Sequence, residues 1–272
     1  MSPPDDGGSI PDRMQKRLRI NAPRGNDRLR QVLERVNASD ELYALWTVVN
    51  VNAMERLGMT DHGPVHVKIV MNIAVKLLRL LVQRGIQPSI VRDYGLASED
   101  AEVVVAVAAL LHDVGMSIHR ADHESYSLFV AQPHIDALLH DIYDDATRTV
   151  VRSEIMHAII AHRSGGKPLT LEAGVVRIAD ALDMAEGRSR IPFQEGSVSI
   201  HSVSAAAISD IHIGPGEEKP VRVSIEMTNS AGVFQLDQLF RDKLSGSGLE
   251  PYIELEARIE GEEKRLLSEF RL

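Results

Sequence analysis

The stretch AEVVVAVAALLHDVG, from Ala101 to Gly115, is apolar on every side of a helical projection. A helix built on it, from about Ser98 to Val114, has no face to offer water and must lie at the centre of the fold. Its uninterrupted apolar run, Val103 to Leu111, is far too short to cross a bilayer, so protein must surround it on all sides.

His112 and Asp113 stand at the end of this helix, where polar groups are costly. A buried carboxylate needs a partner, or it loses several kcal/mol or neutralises itself. A divalent cation bound by both side chains removes the problem, and a structural His–Asp hydrogen bond serves as well for an isolated pair. Adjacent helical residues point about 100° apart. A shared metal therefore favours a helix that ends or distorts there, which Gly115 allows.

Helical patterns follow one another from about Asp27 to Ala185. In the clearest, Asp61 to Arg84, Asp61 can cap the start, Pro64 falls in the first turn and Gly85 closes the end. Ile69, Val70, Ile73, Leu77 and Leu80 form its apolar stripe. Further helices fit Arg120 to Ala131, Asp144 to His162 and Thr170 to Glu186. After Pro192 the texture becomes alternating and β-branched: SVSIH from Ser197, ISDIHI from Ile208, VRVSIEM from Val221 and YIELEARI from Tyr252, with a helix from about Val233 to Leu244. The expected organisation is a flexible tail over 1–24, a helical domain over 25–190 and a small α+β domain over 191–272.

Composition narrows the chemistry. Charged residues make up 25% of the 272 and hydrophobic residues 44%, as in an ordinary globular protein. The net charge of -9 argues against general nucleic-acid binding. With no cysteine, any metal must be held by nitrogen and oxygen. The start MSPPDDGGSI lacks the pattern of a secretory signal, which makes a cytoplasmic location the expectation, with no membrane partner. Of 11 histidines, nine lie between His62 and His162.

His66 precedes Ile69, Val70 and Ile73 by 3, 4 and 7 residues, which places it on the buried stripe of its helix. Alone it reads equally well as a core histidine. In VVRIADALDM, Asp180 follows Val176 by four and Ala173 by seven and also faces inward. Acids are almost never fully buried unless paired, so Asp180 needs a partner. Asp183, three residues on, reads as an exposed helical carboxylate or as an acid behind the site.

The order His66, His112-Asp113, Asp180, with the flanking strings DHGPVHVKIV, ALLHDVGMSIHR and RIADALDMAEGR, resembles the HD superfamily of metal-dependent phosphohydrolases over about Asp61 to Arg190. The resemblance implies a helical bundle whose first metal is bound by His66, His112, Asp113 and Asp180. Some members of that superfamily add two histidines for a second metal bridged by the HD aspartate. His123 in RADHESYS and His162 in IIAHRSGG are similar to those histidines, and His157 in EIMHAII competes with His162.

By the same resemblance the chain is expected to be a mostly α enzyme with a smaller C-terminal α+β domain, hydrolysing a phosphate ester, nucleotide or related, with a metal-bound hydroxide. The expected cofactors are divalent ions, two in number, drawn from Mn, Fe, Co, Ni or Zn. The partner is a small phosphorylated substrate. The competing expectation is a non-catalytic regulatory module that binds metal or nucleotide. HRSGGKP lacks the GYP element that accompanies cyclic-di-GMP hydrolysis in one subgroup of the superfamily.

Phosphate also needs cations, and Arg163 and Arg188 stand first among those beside the ligand candidates, ahead of Lys167 and Arg190. His62 reads as a substrate contact or a hydrogen-bonded helix start. Every expected ligand lies between His66 and Asp180, so the C-terminal domain is expected to cover the site mouth or to mediate homodimerisation.

Overall fold

The computed structural model describes residues 17–163, 165–184, 207–233, 236 and 240–259. Among the described residues eight α-helices precede the sheet: α1 (Asp27–Ala38), α2 (Asp40–Asn50), α3 (Pro64–Gln83), α4 (Ser89–Tyr94), α5 (Ser98–Leu111), α6 (His123–Leu139), α7 (Asp145–Ala161) and α8 (Leu171–Leu182). Then come β1 (Ile208–Pro215), β2 (Val221–Met227), a short α9 (Arg241–Leu244) and β3 (Ile253–Ile259). The protein is thus mostly α with a small C-terminal sheet.

The all-apolar helix is central, as its composition requires. Residues Val103 to Leu111 of α5 are each 1% exposed or less, and α1, α3, α4, α6, α7 and α8 all pack against α5. The sheet runs in the order β1-β2-β3, with β1 antiparallel and β3 parallel to β2. In β2 the alternate residues Val221, Val223, Ile225 and Met227 are buried, because a strand sends every second side chain to the same face. That face meets α3, and sheet and helices share one continuous apolar core. Among the described residues no helix is long and apolar enough to cross a membrane.

Several local expectations change. Ile69 is 36% exposed, and the buried stripe of α3 is centred on Val67, Val70, Met71, Ala74, Leu77 and Leu78 instead. Helix α6 does not stop at Ala131 but carries Pro133 through to Leu139. Residues 17–24, read as part of a flexible tail, are anchored. The Ile20 N–H donates to Asn37 Oδ1 at 2.9 Å, and the Tyr43 hydroxyl donates to Leu18 O at 2.6 Å. The strand expected at SVSIH and most of the helix expected from Val233 lie outside the described residues, except for α9.

Helix α5 ends where the sequence asks it to. Leu111 is its last residue; His112 keeps helical angles, and Asp113 departs to φ -101°, ψ 1° before a 3-10 turn over Val114–Ser117. The carbonyls left over at the helix end need donors. His112 Nδ1 supplies Ala109 O at 2.8 Å, Trp46 Nε1 supplies Leu110 O at 2.9 Å, and Ser127 Oγ supplies His112 O at 2.6 Å. Gly115 is required by close approach and not by an unusual φ: a Cβ there would lie 2.0 Å from His123 O and 2.4 Å from Ser127 N. Gly115→Ala should therefore push α6 away from the turn and cost about 3 kcal/mol, at the upper end for overpacking. Urea unfolding checks this, and an unchanged midpoint would show that the turn relaxes freely.

Candidate metal centre

Five elements converge at the end of α5. His66 comes from the first turn of α3, His112 and Asp113 from the turn after α5, His123 from the start of α6, His162 from the end of α7 and Asp180 from α8. All but Asp180 are buried; its side chain is 19% exposed. Asp61 fixes the start of α3, accepting from the N–H groups of Gly63 at 3.0 Å and His66 at 3.3 Å. Asn50, at the end of α2, holds Asp61 Oδ2 at 2.7 Å and accepts from the His62 N–H at 2.9 Å.

Hydrogen bonding aims the imidazoles. His66 Nδ1 lies 2.6 Å from Asp183 Oδ2, His112 Nδ1 is 2.8 Å from Ala109 O and His162 Nδ1 is 2.6 Å from Ile159 O. Each partner is an oxygen that can only accept, so Nδ1 carries the proton and the Nε2 lone pair faces inward. His66 Nε2 and His112 Nε2 are 3.2 Å apart. Two lone pairs at that separation repel unless a cation or a proton lies between them. His123 differs: its Nδ1 is 2.7 Å from Arg120 Nη1, 3.1 Å from Arg120 O and 3.2 Å from Glu124 Oε2, and its Nε2 is 3.0 Å from Asp113 Oδ1.

Asp113 divides its two oxygens. Oδ2 faces His112 Nε2 at 3.3 Å and His66 Nε2 at 3.4 Å, whereas Oδ1 faces His123 Nε2 at 3.0 Å and His162 Nε2 at 3.7 Å. Asp180 Oδ1 stands 3.7 Å from both His66 Nε2 and His112 Nε2. Among the described residues three groups have the mutual spacing of metal ligands: His66, His112 and Asp113; His112, His162 and Asp180; and Asp113, His123 and His162. The donor set of imidazole nitrogen and carboxylate oxygen suits a divalent transition metal. These residues fit such an ion.

Electrostatics agree. Burial works against a charged His112, but the Asp113 carboxylate overrides it and raises His112 to about 10. Burial disfavours the ionised Asp113 too, yet the His112 charge and hydrogen bonds from three imidazoles hold it well below the usual carboxylate range. His162 is pushed down to about 3 by burial, then by the His112 and Lys243 charges.

The other expected residues that are described lie outside these groups. His157 is not part of the cluster: its Nε2 accepts the Leu169 N–H at 3.0 Å, which gives it a structural partner. The Arg163 side chain is exposed, and its described bonds are through its carbonyl, which accepts from Arg177 and Gly166. Arg188, Arg190 and His201 lie outside the described residues. Asp183 is 6% exposed and belongs behind His66, not on a solvent face.

The sequence reading missed two residues at the site. Lys243, from α9, places Nζ 3.2 Å from Asp180 Oδ2 and 2.6 Å from His162 O. Arg177, 2% exposed on α8, donates from Nε to Lys243 O at 2.8 Å and from Nη2 to Asp242 O at 3.1 Å. Its Nη1 reaches Arg163 O and Gly166 O. The C-terminal region therefore enters the site itself. A buried arginine on the Asp180 helix was the available signal.

A family model described as the HD domain matches residues 65–185. An uncharacterized protein of Methanocaldococcus jannaschii is 41% identical over 213 residues, which cover 78% of this chain and 82% of the relative.

A metal must displace the proton that Asp113 keeps on His112. A group raised in the folded state adds stability to the metal-free protein below about 6.5, and that stability is lost as pH rises through about 10. Metal uptake at pH 7 should therefore release about one proton, and apparent affinity should climb as pH rises from 6 towards 9. Calorimetry in buffers of different ionisation enthalpy reads this directly; zero proton release would contradict it.

Proposed function

Because the chain belongs to the HD superfamily of metal-dependent phosphohydrolases, we propose that it hydrolyses the phosphate ester of a small substrate, nucleotide or related. The observation that carries this reading is the split of Asp113 between two imidazole pairs, Oδ2 towards His66 and His112 and Oδ1 towards His123 and His162. A carboxylate so placed suits a bridge between two divalent ions. Such ions, when bound, supply an activated water and neutralise charge on the phosphoryl group.

This chain's residues do the rest. His66, His112 and Asp180 would hold one ion, and His123 and His162 the other, with Asp113 shared. His123 can serve only with its Nδ1 proton directed at Arg120 O or Glu124, which frees Nε2. Asp183 keeps His66 in the productive tautomer. Overall, a water oxygen joins phosphorus, the phosphorus–oxygen ester bond breaks, and the leaving alcohol takes up the proton. Arg163 and Arg188 are proposed as guanidinium contacts for the phosphate as it enters.

Full-length protein assayed on nucleoside monophosphates, cyclic mononucleotides and p-nitrophenyl phosphate should turn over with Mn and stop when a chelator is added. Asp113→Ala should abolish turnover by at least about 10³-fold while keeping its helicity. A wild type inert across that panel would favour the regulatory module.

Elemental analysis should find about two ions per wild-type chain under saturating Mn, and about one in His123→Ala. A wild-type count of one would remove the second ion.

A further inference from the structure

The phosphate needs a fixed cation beside the ions, and among the described residues of the helical region neither Arg163 nor Arg120 turns one into the cluster. Among the described residues Arg163 is exposed, and Arg120 touches only the outer nitrogen of His123. Lys243 is different. Its Nζ reaches the oxygen of Asp180 that faces away from the imidazoles, at 3.2 Å, and the carbonyl of His162 at 2.6 Å. An ammonium group has three N–H donors, and these two contacts use two. The side chain is 18% exposed, so it is not fully enclosed.

Lys243 is also held in place. The Arg177 guanidinium grips the carbonyls of Asp242 and Lys243 on one side and those of Arg163 and Gly166 on the other. Gly174 lets the following segment lie directly on α8, since a Cβ there would meet Ser247 O at 2.4 Å. The helix that carries Asp180 and the segment that carries Lys243 are thus one unit.

We propose that Lys243 is a catalytic residue of the phosphoester reaction, contributed by the C-terminal region, whose third N–H donates to a non-bridging oxygen of the phosphoryl group. It rests on the phosphoester reading above. Lys243 lies outside the stretch that the family model matches, residues 65–185, so the contact is an addition made by this chain's own C-terminal region. The part Lys243 plays is a hydrogen bond, and no proton is transferred from it in the step proposed above. A phosphate is favoured over a neutral ligand because the group it meets is a charged donor next to a divalent-metal cluster.

The test uses full-length protein and two probes, Mn alone and inorganic phosphate added to the Mn-loaded protein. Lys243→Gln should take up Mn in wild-type stoichiometry, bind phosphate about tenfold or more weakly and lose kcat/KM on p-nitrophenyl phosphate to a similar degree. Lys243→Arg should lie close to wild type on all three. Lysine acetylation of the wild type, read by mass spectrometry, needs no variant: phosphate should protect Lys243 when Mn is present and not when it is absent.

Unchanged phosphate affinity in an Mn-loaded Lys243→Gln protein, or no protection of Lys243, overturns the assignment. So does a variant that loses Mn while its remaining loaded sites bind phosphate normally, because Lys243 would then act only through Asp180. Wild-type protein that takes up Mn, binds no phosphate and hydrolyses nothing sinks the phosphoester reading itself, and this contact with it.

Discussion

Three imidazoles with Nδ1 already committed to an oxygen turn three Nε2 lone pairs into a dry interior, two of them 3.2 Å apart. Nothing in an apolar core tolerates that arrangement without a positive charge. The Asp113 carboxylate raises His112 against the cost of burial and so favours a proton there. A divalent ion between His66 and His112 would answer the closest pair of lone pairs and the carboxylates that face them. Helix caps, the broken end of α5 and the packing of α3, α6, α7 and α8 all serve to hold these nitrogen and oxygen atoms where only a cation suits them.

The cluster is rigid because its supports are themselves buried and fully engaged. Asp183 braces His66 from behind, and Ser127 joins the His112 carbonyl to the Gly115 N–H, at 2.6 Å and 2.8 Å. The backbone of α6 presses so closely on Gly115 that no side chain fits there. Supports of this kind commonly matter to metal affinity nearly as much as the ligands do, since they set the tautomer and the direction of the lone pair. Asp180 is the exception in being partly exposed, and it is the ligand candidate that has a lysine on its outer oxygen.

Much of this was legible in the sequence for specific physical reasons. An apolar helix with no polar face has only one place to go, and His66 and Asp180 declare themselves by lying on buried stripes. Asp183 stood between two readings because the helical pattern runs on to Glu186: α8 ends at Leu182, and Asp183, at φ -80°, ψ 64°, sets its carboxylate 2.6 Å from His66 Nδ1. Ile69 differs because the buried stripe of α3 is rotated round the helix from the one its pattern suggests: Val67, Met71, Ala74 and Leu78 join Val70 and Leu77 in the core. His157 and His162 sit five residues apart near the end of one helix. Only three-dimensional packing separates the one that meets Asp113 from the one that meets the Leu169 N–H. Lys243 was invisible because its partner Asp180 lies 63 residues away in the chain.

The Arg177 clamp bears on how the chain reaches this state. A buried guanidinium can be desolvated only when its acceptors are in place, and two of them, Asp242 O and Lys243 O, lie 65 and 66 residues downstream. On a ribosome adding about 5–20 residues per second, helix α8 emerges several seconds before those carbonyls exist. Through that interval Arg177 must keep its water, and the groove of α8 around Gly174 stays open. A later-made segment of the polypeptide therefore seals a core made before it. Folding is committed late, by a contact of long sequence separation, and a chain interrupted before residue 243 is left with a charged gap beside Asp180.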